Sequence, residues 1–75
     1  MAMNNVKKIC VVEGIRQSQL SKDSGVGYKT INDIWNQKKN GNDVTQGKVV
    51  KAINNISKKD YSLISVFPKV KNNRR

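Results

Sequence analysis

Gly14-Ile15-Arg16-Gln17-Ser18-Gln19-Leu20-Ser21-Lys22-Asp23-Ser24-Gly25-Val26-Gly27-Tyr28-Lys29-Thr30-Ile31-Asn32-Asp33-Ile34-Trp35-Asn36 is the stretch on which the fold turns. Its first part, Arg16 to Ser24, predicts a short second helix with Leu20 as its strong apolar residue. Gly25 suits the positive φ of a tight turn, because it lacks the Cβ that penalises that conformation. Val26 then points back towards a core, and Gly27 takes the N-cap of a third helix running from Tyr28 to about Asn36. On that helix Ile31 and Ile34 fall on the inner side with Trp35 beside them. Tyr28, Lys29, Asn32 and Asp33 fall on the outer side. Two short helices about a glycine turn, the second apolar on one side and polar on the other, predict a helix-turn-helix.

Working outward towards the N-terminus, Asn4 or Asn5 is placed to cap a first helix that runs to about Glu13. Val6, Ile9, Val12 and Cys10 are expected on its inner face. Gly14 ends it as a C-terminal glycine does, and Ile15 links inward to the next helix. Towards the C-terminus, Gln37 to Asp43 forms a polar, basic loop. Asp43 or Thr45 then caps a fourth helix to about Asn55, with Val49, Ala52, Ile53 and Ile56 on one side. Gly47 is awkward inside it, costing about 1 kcal/mol relative to Ala. Ser57-Lys58-Lys59-Asp60 has capping-box spacing with Asp in place of Glu, which would start a short fifth helix. Tyr61 to Phe67 is rich in strand formers, so a C-terminal β-strand competes with that helix. Pro68 stops either one. The expectation is an all-α bundle of four to five helices, with the strand as alternative. It forms one domain over 1–67, followed by a basic flexible tail over 68–75.

Composition narrows the function. The 75 residues hold fifteen Lys+Arg against five Asp+Glu, a formal charge of +10. Such a field draws polyanions, either nucleic acid or an anionic membrane surface. His is absent and Cys10 is the only cysteine, so a structural zinc site with its roughly four N/S ligands has no donors. The five acids show no spacing suited to a metal or to general acid/base work. These absences point away from an enzyme, a metal and a cofactor, and no small-molecule pocket is expected. No apolar run approaches the roughly 20 residues of a membrane span. Ile9 to Val12 is too short for a signal-peptide core, and a lone thiol fits a reducing compartment. The expected location is therefore the cytoplasm.

From Gly14 to Asn36 the chain resembles the DNA-binding domain of Cro and lambda-type phage repressors, within the wider XRE group of bacterial regulators. The marks that carry the likeness are Gln17 opening the second helix, Leu20, small Ser21, Gly25-Val26, Thr30-Ile31 and Asn36. A looser likeness runs from Val6 to Ile56. It implies a lambda-repressor-like bundle in which helices 2 and 3 form the helix-turn-helix. Three departures stand out. Many relatives pair an Arg at position 10 with a Glu at position 35, and here Cys10 and Trp35 replace both members together. Losing one alone would strand a buried charge at about 3–5 kcal/mol, whereas replacing both with apolar groups is tolerated. Trp35 is therefore expected to pack near Cys10, as part of a core. Gly27 stands where a hydroxyl residue is common, keeping the cap conformation but losing the hydroxyl. Gln46 and Gly47 stand where relatives usually have Leu.

The resemblance implies a sequence-specific regulator of transcription, a repressor in a bacterial or phage-infected cell. Its partners would be double-stranded DNA and a second copy of itself. The third helix of such a motif enters the major groove, which nominates Tyr28, Lys29, Thr30, Asn32 and Asp33 for base contact. Lys29 suits a guanine, Thr30 a thymine methyl, Asn32 an adenine and Asp33 a cytosine amine. Asp33 is equally suited to repelling the DNA backbone or to holding Lys29 through an i, i+4 pair. Arg16, Gln17, Gly27, Asn36, Lys38 and Lys39 are expected along the DNA backbone. Such contacts set register without reading sequence. One recognition helix reads few base pairs, so a homodimer on a palindromic operator is expected, joined through Tyr61, Leu63, Ile64, Val66 and Phe67. A DNA-binding antitoxin that neutralises a toxin and autoregulates its operon is the nearest alternative. An RNA-binding or membrane-surface basic protein is a minor one, with only four aromatics available for base stacking.

Overall fold

The computed structural model describes residues 4–68, and the basic stretch from 69 onwards lies outside them. Five α-helices follow one another: α1 (Val6–Glu13), α2 (Gln17–Ser24), α3 (Tyr28–Trp35), α4 (Asp43–Ser57) and α5 (Leu63–Val66). The described residues form no strand. Where helix and strand competed at the C-terminal end, a single helical turn forms.

Each boundary has a local cause. At the start of α1, Asn5 takes the N-cap position without a side-chain capping bond, and Asn4 supplies the acceptor from one residue further out: its Oδ1 receives the Val6 N–H at 3.0 Å. Gly14 (φ 73) ends α1, and the Ile15 N–H folds back onto the Cys10 carbonyl at 2.8 Å. Gly25 (φ 74) ends α2. The Ser21 hydroxyl donates to the Val26 carbonyl at 2.7 Å, fixing the turn that leads into α3. α3 closes without a glycine. Gln37 adopts φ 65, its N–H bonds the Ile34 carbonyl at 3.1 Å, and the Lys38 N–H bonds the Asp33 carbonyl at 2.8 Å. Those two bonds are the Schellman pattern, with Gln in the position that usually carries Gly.

Two helix starts differ from expectation. α4 is capped by Asn42, whose side chain accepts from the Thr45 N–H at 2.9 Å, rather than by Asp43 or Thr45. Ser57-Lys58-Lys59-Asp60 opens no helix. Ser57 is the last residue of α4, its hydroxyl bonded back to the Ile53 carbonyl at 2.7 Å. Lys58 (φ 59) then turns the chain out of the helix. Ser62 caps α5 instead, accepting from the Ser65 N–H.

A single core joins all five helices: Val6 and Cys10 of α1, Leu20 of α2, Ile31 and Ile34 of α3, Val49, Val50, Ala52 and Ile53 of α4, and Val66 of α5, with Ile15, Val26 and Phe67 from the connections. Trp35 packs, half-buried, against this cluster, as do Ile9, Ile56 and Tyr61. Cys10 is wholly buried, and burial pushes its thiol up to about 12. Such a group remains a neutral thiol and fills space. Val12, expected inside, is 74% exposed. The inner face of α1 follows the i, i+4 pair Val6 and Cys10. A residue at i+6 lies about 600° on, or 120° off that line at 3.6 residues per turn.

The largest correction concerns the expected dimer seam. Val66 and Phe67 are buried in the chain's own core. Tyr61 is half-buried, its hydroxyl donating to Glu13 Oε2 at 2.6 Å. Only Leu63 and Ile64 of the five remain exposed. Within the apolar C-terminal cluster, Val66 and Phe67 close the bundle. A substitution such as Phe67→Asp would unfold the chain rather than test a dimer, because it puts an unpaired charge where an aromatic ring is buried.

Candidate nucleic-acid interface

Three pieces of chain meet on one side of the core: the start of α2, the outer face of α3, and the turn after α3. Side-chain bonds connect them. Asn32 Nδ2, in the middle of α3, donates to Gln17 Oε1 at the start of α2 at 3.1 Å. Asn36 Nδ2, at the end of α3, donates to Asn32 Oδ1 at 2.9 Å. The chain Asn36–Asn32–Gln17 therefore runs along α3 and crosses to α2. Residues expected at DNA backbone (Gln17, Asn36) and at bases (Asn32) are held as one unit. Asn32 keeps one amide hydrogen and spare acceptor capacity beyond these bonds.

Charges form a second connected group. Asp33, half-buried, lies 3.9 Å from Lys29 Nζ and 3.7 Å from Lys39 Nζ. The first is the i, i+4 pair on α3, and the second reaches into the turn. Asp33 thus holds two lysines in register, and in that arrangement its carboxylate faces cations rather than standing free to read a base. The pairs are loose, and exposed pairs of this kind contribute about 0–1 kcal/mol to stability. Tyr28 (53% exposed) and Lys29 project from the first turn of α3, while Thr30 is half-buried. Arg16, Gly27, Asn36, Lys38 and Lys39 are exposed.

The two helix starts on this side are unlike the others. Neither Arg16 at the head of α2 nor Gly27 at the head of α3 offers a side-chain cap. By contrast α1, α4 and α5 each have a first-turn N–H taken by an Asn or Ser side chain. Helix N-termini leave four N–H groups without an intrahelical partner. At α2 and α3 these donors, and the positive end of each helix dipole, stay free for anionic oxygen.

Reading the sequence missed two features. One is the turn itself: Gln37, in the middle of an unremarkable polar loop, forms reciprocal bonds with the Asn4 main chain at 2.9 and 2.8 Å. No residue-type pattern signals that pairing. The other is a shallow cavity of about 260 Å³ between α1 and the α5 segment, lined by Asn5, Lys8, Ile9, Val12, Tyr61 and Ser65. It is below the roughly 300–1,000 Å³ of ordinary ligand sites.

Among the described residues no group of acids or cysteines is arranged to hold a metal, and no helix is long and apolar enough to cross a membrane. No protein-family model matches the chain, and no curated protein matches it either.

Proposed function

We propose that this chain is a sequence-specific DNA-binding regulator of transcription in which α2 and α3 act as a helix-turn-helix and α3 enters the major groove. The observation that carries it is the coupling of Gln17, Asn32 and Asn36 on a face whose helix starts are uncapped. The amide chain gives a rigid donor and acceptor edge. The two uncapped starts give backbone donors for phosphate on either side of it. The formal charge of +10 supplies the long-range attraction.

In this reading Gln17, the N–H groups at Arg16-Gln17 and Gly27-Tyr28, and the lysines of the turn hold phosphates and set register. Lys29, released from its loose contact with Asp33, bonds the O6 and N7 of a guanine. Asn32 uses its remaining hydrogen-bonding capacity on a base edge, and Tyr28 stacks against sugar or bonds a phosphate. Two copies related by a two-fold axis would read a palindrome with half-sites about one helical turn apart.

The test is binding to a pool of random duplexes across a salt series, with the bound fraction sequenced. A steep salt slope and an enriched palindrome are expected. Lys29→Ala should relax one guanine position of the half-site by about 1–3 kcal/mol and leave the other positions unchanged. Salt-dependent binding without any enriched site would remove sequence-specific regulation from the proposal.

A further inference from the structure

Asn4 lies outside every helix, yet it is the most heavily bonded side chain near the DNA-facing turn. It is 6% exposed and is the one buried polar residue among those described. Its Nδ2 donates to the Ile34 carbonyl at 3.0 Å and to Asn40 Oδ1 at 2.9 Å. Its main-chain N–H donates to Gln37 Oε1 at 2.9 Å, and its carbonyl accepts from Gln37 Nε2 at 2.8 Å. Only the bond from the Val6 N–H serves α1. A helix cap needs that one acceptor alone. The other four bonds all go to residues 34–40, the end of α3 and the turn after it. They hold Gln37 at φ 65, a conformation that non-glycine residues rarely adopt. The next two residues are Lys38 and Lys39, both exposed, with Lys39 also drawn to Asp33.

We propose that Asn4 is a positioning residue for DNA: it latches the α3–α4 turn so that Lys38 and Lys39 stand ready at the phosphate backbone. This rests on the DNA-binding reading above. The physical reason is preorganisation. A turn fixed before binding need not be ordered during binding, and ordering side chains and loops at an interface reduces affinity. The segment before α1 thereby sets the strength of a contact made more than thirty residues later in the chain.

The experiment is a double-mutant cycle on DNA affinity, measured across a salt series. Asn4→Ala is combined with Lys38→Gln/Lys39→Gln, and a melting curve for each protein confirms that it is folded. In the wild-type background Asn4→Ala should weaken binding about tenfold and flatten the salt slope by about 1–2, since each phosphate neutralised contributes about 0.9. In the Lys38→Gln/Lys39→Gln background the same change should alter affinity by less than about twofold, since its effect passes through those lysines. Gln37→Ala should reproduce the pattern. If Asn4→Ala does not fold, Asn4→Ser replaces it, keeping a hydroxyl acceptor for Val6 and losing both amide donors with no change of charge. Equal weakening in both backgrounds, or no weakening in either, would overturn the proposal. If wild type itself retained no duplex at low salt, the DNA-binding reading would fall and this inference with it. That outcome is told apart by the silence of the unmodified protein.

Discussion

Glu13 is the acid with the clearest structural duty. Its Oε2 receives Lys59 Nζ at 2.7 Å and the Tyr61 hydroxyl at 2.6 Å, tying the end of α1 to the link between α4 and α5. The Lys59 bond, then the Tyr61 bond, hold its carboxyl below the ordinary value of 4.5. The bond to Glu13 raises Lys59 and Tyr61 above their ordinary 10.5 and 10.0. A depressed acid stabilises the fold above its ordinary value and loses that contribution as pH falls through the folded value. The raised Lys59 and Tyr61 contribute up to their ordinary values and lose it as pH climbs past the folded ones. Glu13→Gln should therefore melt below wild type at neutral pH, and the difference should vanish well below pH 4.5. A gap that persists unchanged into acid would show that the carboxylate charge does not matter there. At this scale the sequence was legible where volume and polarity change together. Cys10 and Trp35, both expected as apolar packing, are placed so: Cys10 is wholly buried and Trp35 lies against the same cluster. The duty of Glu13 was not legible, because its partners stand 46 and 48 residues away and no spacing encodes them.

Helix interiors and helix ends differ in how much of them a sequence reveals. Apolar spacing located the bodies of α1, α3 and α4, because burying one face sets a period of 3.6 residues, while α2, with Leu20 alone, was bounded by Gly14 and Gly25. The ends depend on which of several adjacent polar residues wins the first N–H, and neighbouring choices differ by about 1 kcal/mol or less. Hence Asn42 caps α4 where Asp43 and Thr45 were equally eligible, and Ser62 caps α5 while Ser57, with the better motif, ends α4. The left-handed exits at Gln37 and Lys58 carry no residue-type signal either, since neither is the Gly or Asn that favours that conformation. Gly47 was read as a misfit, and the geometry agrees: it lies inside α4, exposed, and a Cβ there would meet nothing within 4 Å. Gly47→Ala should stabilise the chain by about 0.5–1 kcal/mol. For a domain of this size 1 kcal/mol corresponds to a rise of about 4–8 °C in melting temperature. Thermal melts monitored by circular dichroism would measure it. A fall in Tm would mean that the open surface beside Gly47 is occupied, for instance by another molecule of the same chain.

For the whole molecule, the question is what the fold leaves uncovered after five short helices have spent their apolar residues on one core. Burial divides the C-terminal cluster read as a seam: Val66 and Phe67 close the bundle, while Leu63 and Ile64 stay outside. Alternation along a single helical turn splits neighbours between inside and outside, which composition alone cannot do. Val11 and Val12 of α1 are exposed as well, and Val12 borders the shallow cavity that reaches Tyr61 and Ser65. If the proposed regulator is a dimer, these residues are candidates for its seam, as is exposed Val44 of α4. A two-fold interface uses the same patch on both copies, so one substitution strikes it twice. Ile64 is 65% exposed. Covering what is still open of it in both copies would contribute roughly 2–4 kcal/mol, about two-thirds of the 1.5–3 for each full side chain. Ile64→Asp should therefore shift sedimentation equilibrium from dimer to monomer, weakening self-association about 10²-fold or more, while the melting curve of dilute protein barely moves. Val12→Asp separates the two faces. If it dissociates the protein and Ile64→Asp does not, the seam runs along α1. If wild type sediments as a monomer at every concentration, a palindrome must be read by two chains that meet only on DNA, and cooperativity would then vanish on separated half-sites.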